Sequence, residues 1–259
     1  MKEKRHEKIY MYGRHALMEA VLHAPLVIKK VYLSPDNRDK ELRDLLVKNQ
    51  IITAELKQGQ GSEIVGRDAA HQGIVALMNP APLLQTLENF LVGLDMIHKP
   101  AIVVLGEVQD PHNVGAIIRS AAAFGIAGVL IPEHNQAGIT GAVVKASAGM
   151  VFRVPLVSIG NVNHALKVLK GKGFWIYGLD ATGKNELSKE KFDAPAAFVV
   201  GNEGAGIREK TLEACDIVLN IPMHERTESL NAAVSAAVVL YEWSKHHPEA
   251  LQQVQGKPL

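Results

Sequence analysis

From residue 100 onward, short apolar runs alternate with helical patterns, and this alternation restricts the fold more than any other feature of the chain. The runs are AIVVLGEV, GVLIPE, FRVPLV, FWIYGLD, AAFVVGNE and IVLNIP; between them stand GAIIRSAAAFG, AVVKASAGM, VNHALKVLKG and REKTLEACD. A strand that is apolar at nearly every position has no face to give to water, so it needs a sheet covered on both sides. Strands of this kind alternating with helices predict an α/β domain with a mostly parallel sheet. Ligands of such sheets sit beyond the carboxyl ends of the strands.

One of those ends is AAFVVGNEGAGI, Ala196–Ile207, where five apolar residues give way to three glycines and Glu203. Glycine permits a tight turn or a close approach of backbone to a ligand, because no Cβ is in the way. Two readings follow: a loop that holds a nucleotide-like cofactor, or a plain strand-to-helix turn. The order G-x-x-G-x-G is not the dinucleotide fingerprint. Its place at the carboxyl end of a parallel strand favours the cofactor loop.

The first 80 residues form a smaller α/β unit by the same signals. HALMEAVL and RDKELRDLLVKNQ have helical spacing, and KKVYLSP and GIVALMN read as strands. The prolines of NPAPLLQTLENFLVGLDMIHKP mark a boundary, so 81–98 is read as a linker with a connecting helix. The larger unit is then 99–247 and the C-terminal tail 248–259. On this division a chain truncated to start near Asp95 should still fold and bind the cofactor.

Composition sets outer limits. An apolar fraction of 47% and a charged fraction of 21% suit a globular chain with a sizeable core. No run approaches the roughly 18 apolar residues of a membrane span, and MKEKRHEKIY has no apolar run of a signal peptide behind it. The single cysteine, Cys215, forbids an internal disulfide and points to a reducing, cytoplasmic setting. Its helical context suggests a small core residue. The net charge of +1 neither demands nor excludes nucleic acid, although residues 1–80 hold 13 Lys and Arg against 10 Asp and Glu. A basic excess there can supply phosphate contacts.

Several chemistries are excluded. GLDATGKN resembles a phosphate-binding loop, but Asn185 replaces the Ser or Thr that ligates Mg²⁺, and no amphipathic helix follows. The eleven histidines show no metal-ligand spacing, and H-E-x-x-H, C-x-x-C and G-x-S-x-G are absent. No metal is expected. Three places remain. In DPHNVGAIIRSAAAFG, Asn113 fits a helix N-cap, and Arg119 lies among the small residues Ala116 and Ala123, a face suited to close packing. Glu203 sits in the glycine loop. In IPMHERTESLNAAVSAAVVLYEW, Ser229 and Asn231 open a helix that is apolar or small nearly all round, hence buried against the sheet or another subunit.

Together NVGAIIRSAAAFG, FVVGNEGAGI and IPMHERTESLNAAVSAAVVLYE resemble motifs one, two and three of the SpoU/TrmH-type RNA ribose 2′-O-methyltransferases of the SPOUT superfamily. All three occur in order, and the combination is specific. MYGRHALMEAVL and AAHQGIVALMNP further resemble the L30e-like RNA-binding domain that precedes the catalytic domain in the bacterial 23S rRNA guanosine methyltransferases of this family. The resemblance implies a trefoil-knotted SPOUT α/β domain, S-adenosylmethionine bound in the knot, a homodimer joined there, and RNA as substrate. By position it implies Gly201, Ile221 and Leu230 as cofactor contacts, and Asn113, Arg119, Glu203, Ser229 and Asn231 as the catalytic neighbourhood. Ala232, where Val is frequent, and Glu228 are minor departures that remove no functional group. The resemblance gives Arg119 the role of base; its guanidinium chemistry equally suits holding a phosphate or a developing alkoxide.

Overall fold

The computed structural model describes residues 8–67, 69–227 and 229–252; Glu228, the charged opening up to residue 7 and the end of the tail lie outside this range. The N-terminal unit comprises β1 (Ile9–Tyr12), α1 (Arg14–His23), β2 (Ile28–Leu33), α2 (Lys40–Lys48), β3 (Thr53–Glu55), α3 (Gln60–Val65) and β4 (Ile74–Met78). Its sheet runs β1-β4-β2-β3, with β4 antiparallel to both β1 and β2, and β3 parallel to β2. Helix α2 forms where Asp39 accepts the Leu42 N–H at 3.0 Å, and it buries Leu42 and Leu46 against the sheet.

The larger unit comprises β5 (Leu84–Thr86), α4 (Leu87–Val92), β6 (Ala101–Gly106), α5 (Pro111–Ala123), β7 (Gly128–Pro132), α6 (Gly141–Ala146), β8 (Leu156–Ile159), α7 (Val162–Gly171), β9 (Trp175–Leu179), β10 (Asn185–Glu186), β11 (Ala196–Gly201), α8 (Glu209–Glu213), β12 (Ile217–Asn220) and α9 (Ala232–His246). Eight strands form one sheet in the order β10-β12-β9-β11-β6-β7-β8-β5, and every pairing is parallel. The apolar runs are explained by two-sided burial. In β6, Ala101, Val103 and Leu105 point into a core under α5 and α9, while Ile102 and Val104 point into a second core under α4 and α7.

Two expectations need correction. FRVPLV is not one strand: Met150–Phe152 is a 3₁₀ turn, and β8 begins only after Pro155, which has no N–H for a sheet ladder. Residues 81–98 are more than a linker. Leu84–Thr86 pairs with Leu156–Ser158 as the edge strand, and Leu87 and Phe90 are buried in the second core. A Cβ on Gly128 would stand 2.7 Å from the Phe90 ring, so the helix is tightly seated.

A chain beginning at Asp95 therefore loses part of its own sheet. Burial of large apolar side chains contributes about 1.5–3 kcal/mol each. The Asp95 truncation should accordingly melt about 10 °C below one beginning at Pro80, as followed by circular dichroism. Equal melting temperatures would mean that the edge strand contributes nothing.

Candidate active site

In the sheet order, β12, β9 and β11 are neighbours, so their carboxyl ends lie side by side. The loops leaving them enclose a cavity of ≈ 310 Å³. Its walls include Leu179 at the end of β9 and Asp180 after it, Gly201 at the end of β11 and the loop to Gly206, Ile221, Met223, Ser229 and Leu230 after β12, and Ser235 on α9. The size lies at the lower end of the roughly 300–1,000 Å³ usual for small-molecule sites.

The glycine loop is built by Asn202. Its backbone exchanges two hydrogen bonds with Gly206, N–H to O at 2.9 Å and O from N–H at 3.0 Å. Its side-chain oxygen accepts from the Gly204 and Ala205 N–H groups at 2.9 and 3.1 Å, and its amide donates to the Glu107 carbonyl at 3.0 Å. The chain thus folds back on its own strand: a Cβ on Gly201 would lie 2.4 Å from the Gly206 carbonyl carbon and 2.5 Å from the Ile207 nitrogen. The tight turn and the cavity wall are one object. Glu107, at φ +66°, directly follows β6 and pairs with Arg208 at 2.6 Å, tying the far end of the loop to the end of the neighbouring strand. Sequence reasoning does not single out Asn202, Glu107 or Arg208. Only Asn202 leaves a local signal, an Asx residue heading a Gly-rich turn.

Glu203 leads a relay across the three motif segments. Its carboxylate accepts from the Gln109 and Asp110 N–H groups at 3.3 and 3.2 Å and from Asn113 Nδ2 at 2.9 Å. A carboxylate only accepts, so Asn113 must turn its NH₂ toward it. The Asn113 oxygen then accepts from Asn231 Nδ2 at 2.9 Å. The Asn231 oxygen is left to accept from Ala233 and Val234 at 2.9 and 3.3 Å, which makes Asn231 the N-cap of α9. Asn113 itself is not an N-cap. Asp110 caps α5 by accepting the His112 N–H at 2.8 Å, with Pro111 fixing the first helical position, and Asn113 lies buried in the first turn.

Burial opposes ionisation of Glu203, but the donors from Asn113 and from its own, Asp110 and Gln109 backbone together hold its carboxyl below the usual range. A depressed folded value stabilises the fold above the unfolded carboxylate pKa, and that contribution is lost as pH falls through the depressed value. Glu203→Gln should therefore lower stability most at neutral pH and flatten the acid limb of the unfolding curve. An unaltered acid limb in chemical denaturation from pH 7 to pH 3 would contradict the relay.

The remaining candidates divide. Gly201, Ile221 and Leu230 all line the cavity, as do Glu203 and Ser229. Arg119 does not. It is exposed on the outer face of α5 between Ala116 and Ala123, with no hydrogen bond or ion pair to any described residue. Lys184 of the rejected phosphate-loop pattern is followed by the two-residue β10 and not by a helix. Cys215 donates to the Thr211 carbonyl at 3.3 Å, and burial pushes its thiol up to about 12, so it is packing and not a nucleophile. Among the described residues no His, Cys, Asp and Glu cluster is arranged for a metal, and no helix is long and apolar enough to cross a membrane.

A parallel eight-stranded sheet with a glycine-walled cavity at three adjacent strand ends defines an α/β protein whose cavity lies where such sheets bind their ligands. The chain belongs to the SpoU rRNA Methylase family, whose model matches residues 100–241. Residues 10–84 match the RNA 2′-O ribose methyltransferase substrate-binding domain. The 23S rRNA (guanosine-2′-O-)-methyltransferase RlmB of Nitrosomonas europaea is 35% identical over 244 residues, 93% of this chain and 92% of the relative. RlmB of Neisseria meningitidis is 34% identical, covering 90% of this chain and 93% of the relative. The fold matches the SpoU methyltransferase AviRb from Streptomyces viridochromogenes, solved with AdoMet, at a TM-score of 0.79 and 24% identity, covering 96% of this chain and 92% of that one.

Proposed function

We propose that this chain uses S-adenosylmethionine to methylate the ribose 2′-hydroxyl of a guanosine in 23S rRNA. The observation that carries this reading is the relay Glu203–Asn113–Asn231, which joins all three motif segments and reaches the cavity through Glu203. The cavity fits the cofactor chemically: Leu179, Val200, Leu219, Ile221 and Leu230 offer apolar walls for a purine, and Asp180, Ser229 and Ser235 offer polar groups for its hydrogen-bonding edges. When bound, the cofactor supplies a methyl on a sulfonium that leaves as a neutral thioether.

What the protein must supply is therefore on the hydroxyl side. A positioned base is commonly worth about 10²–10⁴-fold. A guanidinium does not give up its proton in a protein, so Arg119 is not the base, and the hydroxyl proton leaves to solvent. The contribution of Arg119 is to hold the adjoining phosphate by its planar fork and to stabilise charge developing on the oxygen. Glu203, Asn113 and Asn231 keep the glycine loop, α5 and α9 in one arrangement, and Ser229 presents a hydroxyl at the cavity wall.

The same reading includes a trefoil knot around the loops after β11 and β12, RNA bound through the basic N-terminal unit, action in the cytoplasm where ribosomal RNA resides, and a homodimer. Support for the dimer comes from α9. One face is buried, while Val234, Val238 and Tyr241, spaced along the other, are 48%, 36% and 55% exposed. Light scattering should give a dimer at micromolar concentration, and Val238→Glu should shift it to monomer. A monomeric parent protein would refute the assembly.

The test of function is direct. 23S rRNA from cells lacking the gene, incubated with the protein and S-adenosylmethionine, should yield 2′-O-methylguanosine by nucleoside mass spectrometry. A base-methylated product would overturn the reaction, and transfer to tRNA in preference to rRNA would overturn the substrate.

A further inference from the structure

Glu19 is the one carboxylate among the described residues that is buried, at 7% exposure. It belongs to α1 of the N-terminal unit, yet its partner lies 134 residues away in the larger unit: Arg153 Nε donates to Oε2 at 2.6 Å and Nη2 to Oε1 at 2.9 Å. A buried charge is tolerated only when paired and hydrogen-bonded, and a two-pronged Arg–carboxylate pair also fixes an angle.

The surroundings are fitted to that pair. Arg153 directly follows the 3₁₀ turn Met150–Phe152, which Gly149 enters at φ +80°. A Cβ on Gly149 would stand 2.8 Å from Glu19 Cβ and Cγ, so a side chain there would displace the carboxylate. Beside it, a His15 ring nitrogen lies 3.1 Å from the Ala148 carbonyl oxygen. On the other flank, β1 lies on the start of α6 so closely that a Cβ on Gly141 would be 2.0 Å from the Tyr10 carbonyl oxygen.

The contact continues to the active site. Helix α6 packs on α5 at Gly115, where a Cβ would lie 2.5 Å from Ala146 Cβ. Helix α5 carries Asn113 and Arg119. The N-terminal unit thus packs on α6, and α6 packs on the helix that bears Asn113 and Arg119.

We propose that Glu19 and Arg153 are positioning residues that set the angle at which the N-terminal unit presents RNA to the active site. Neither touches the reacting atoms. The inference rests on the RNA-methylating reading above. With the pair broken, the N-terminal unit retains its own RNA surface and the cavity retains its walls, but the two are no longer held in register. Productive RNA binding weakens while cofactor binding does not.

The experiment uses the full-length protein, with 23S rRNA stripped of protein as substrate. Glu19→Gln keeps the shape and removes the charge; Arg153→Lys keeps the charge and removes the fork. Each should raise KM for rRNA about tenfold, within the coupling range of neighbouring charged pairs. The double variant should be no worse than the poorer single one. Calorimetric affinity for S-adenosylmethionine should stay unchanged, a separation that a general loss of structure would not give. An unchanged KM in folded variants, or a parallel fall in cofactor affinity, would overturn the inference. Failure of both variants to fold would overturn it too, since the pair would then hold the fold and not the angle. A wild-type protein that transfers no methyl to rRNA would remove the substrate reading and this inference with it. An active wild type with indifferent variants removes the inference alone.

Discussion

Arg119→Ala should reduce methyl transfer by about 10²–10³-fold, the loss typical of removing one donor from a developing anion. Cofactor affinity should stay near the parent value, because Arg119 lies outside the cavity and bonds to none of the described residues that form it. Arg119→Lys should recover little. A lysine provides a point charge, and a phosphate or alkoxide held by two parallel N–H donors requires the planar fork. Single-turnover assays at saturating S-adenosylmethionine separate these outcomes. Near-parental turnover in the lysine variant would reduce Arg119 to a charge, and a fall in cofactor affinity would relocate its role.

Gly201→Ala should have the second large effect, and for a reason that sequence inspection does not supply. A side chain there is expected from the motif to intrude on the ligand. The structure shows an earlier obstacle: the added carbon meets the protein's own Gly206 and Ile207 backbone at 2.4–2.5 Å, far inside contact distance. Backbone cannot rotate away as a side-chain tip can, so the loop must open. An overpacking cost of about 1–3 kcal/mol corresponds to about a fivefold to 150-fold loss of cofactor affinity if it falls on the binding-competent loop. Calorimetry on a folded Gly201→Ala protein with undiminished affinity would sink the assignment of this loop to the cofactor.

The central strands are legible in the sequence because burial on both faces leaves them apolar without interruption. The strands that escape reading are β1, β3, β5 and β10, and each stands at the edge of its sheet. An edge strand of two to four residues has too little length for periodicity and no second neighbour to demand apolar side chains. Asn113 illustrates a different limit. Its cap-like chemistry is real, but Asp110-Pro111 just upstream starts the helix first, and a single sequence does not rank two adequate caps. Glu203 is legible as a carboxylate in an unusual place, whereas its partners at 109, 110 and 113 are known only once the chain has folded. Asn202, Glu107 and Arg208 shape the loop by contacts between adjacent strand ends, and no local pattern announces such contacts.

The polarity of the relay has an evolutionary consequence. Glu203 can only accept, which obliges Asn113 to donate to it, which obliges Asn231 to donate to Asn113 and to turn its oxygen toward the first turn of α9. No member can change its hydrogen-bonding sense alone. A lineage that replaced the carboxylate by a donor would strand two backbone N–H groups and reverse both amides, uncapping a helix far along the chain. Positions 113, 203 and 231 should therefore be inherited as one unit across descendants of this gene, varying together or not at all. Neighbouring cavity positions such as Met223, which take no part in the relay, should drift independently.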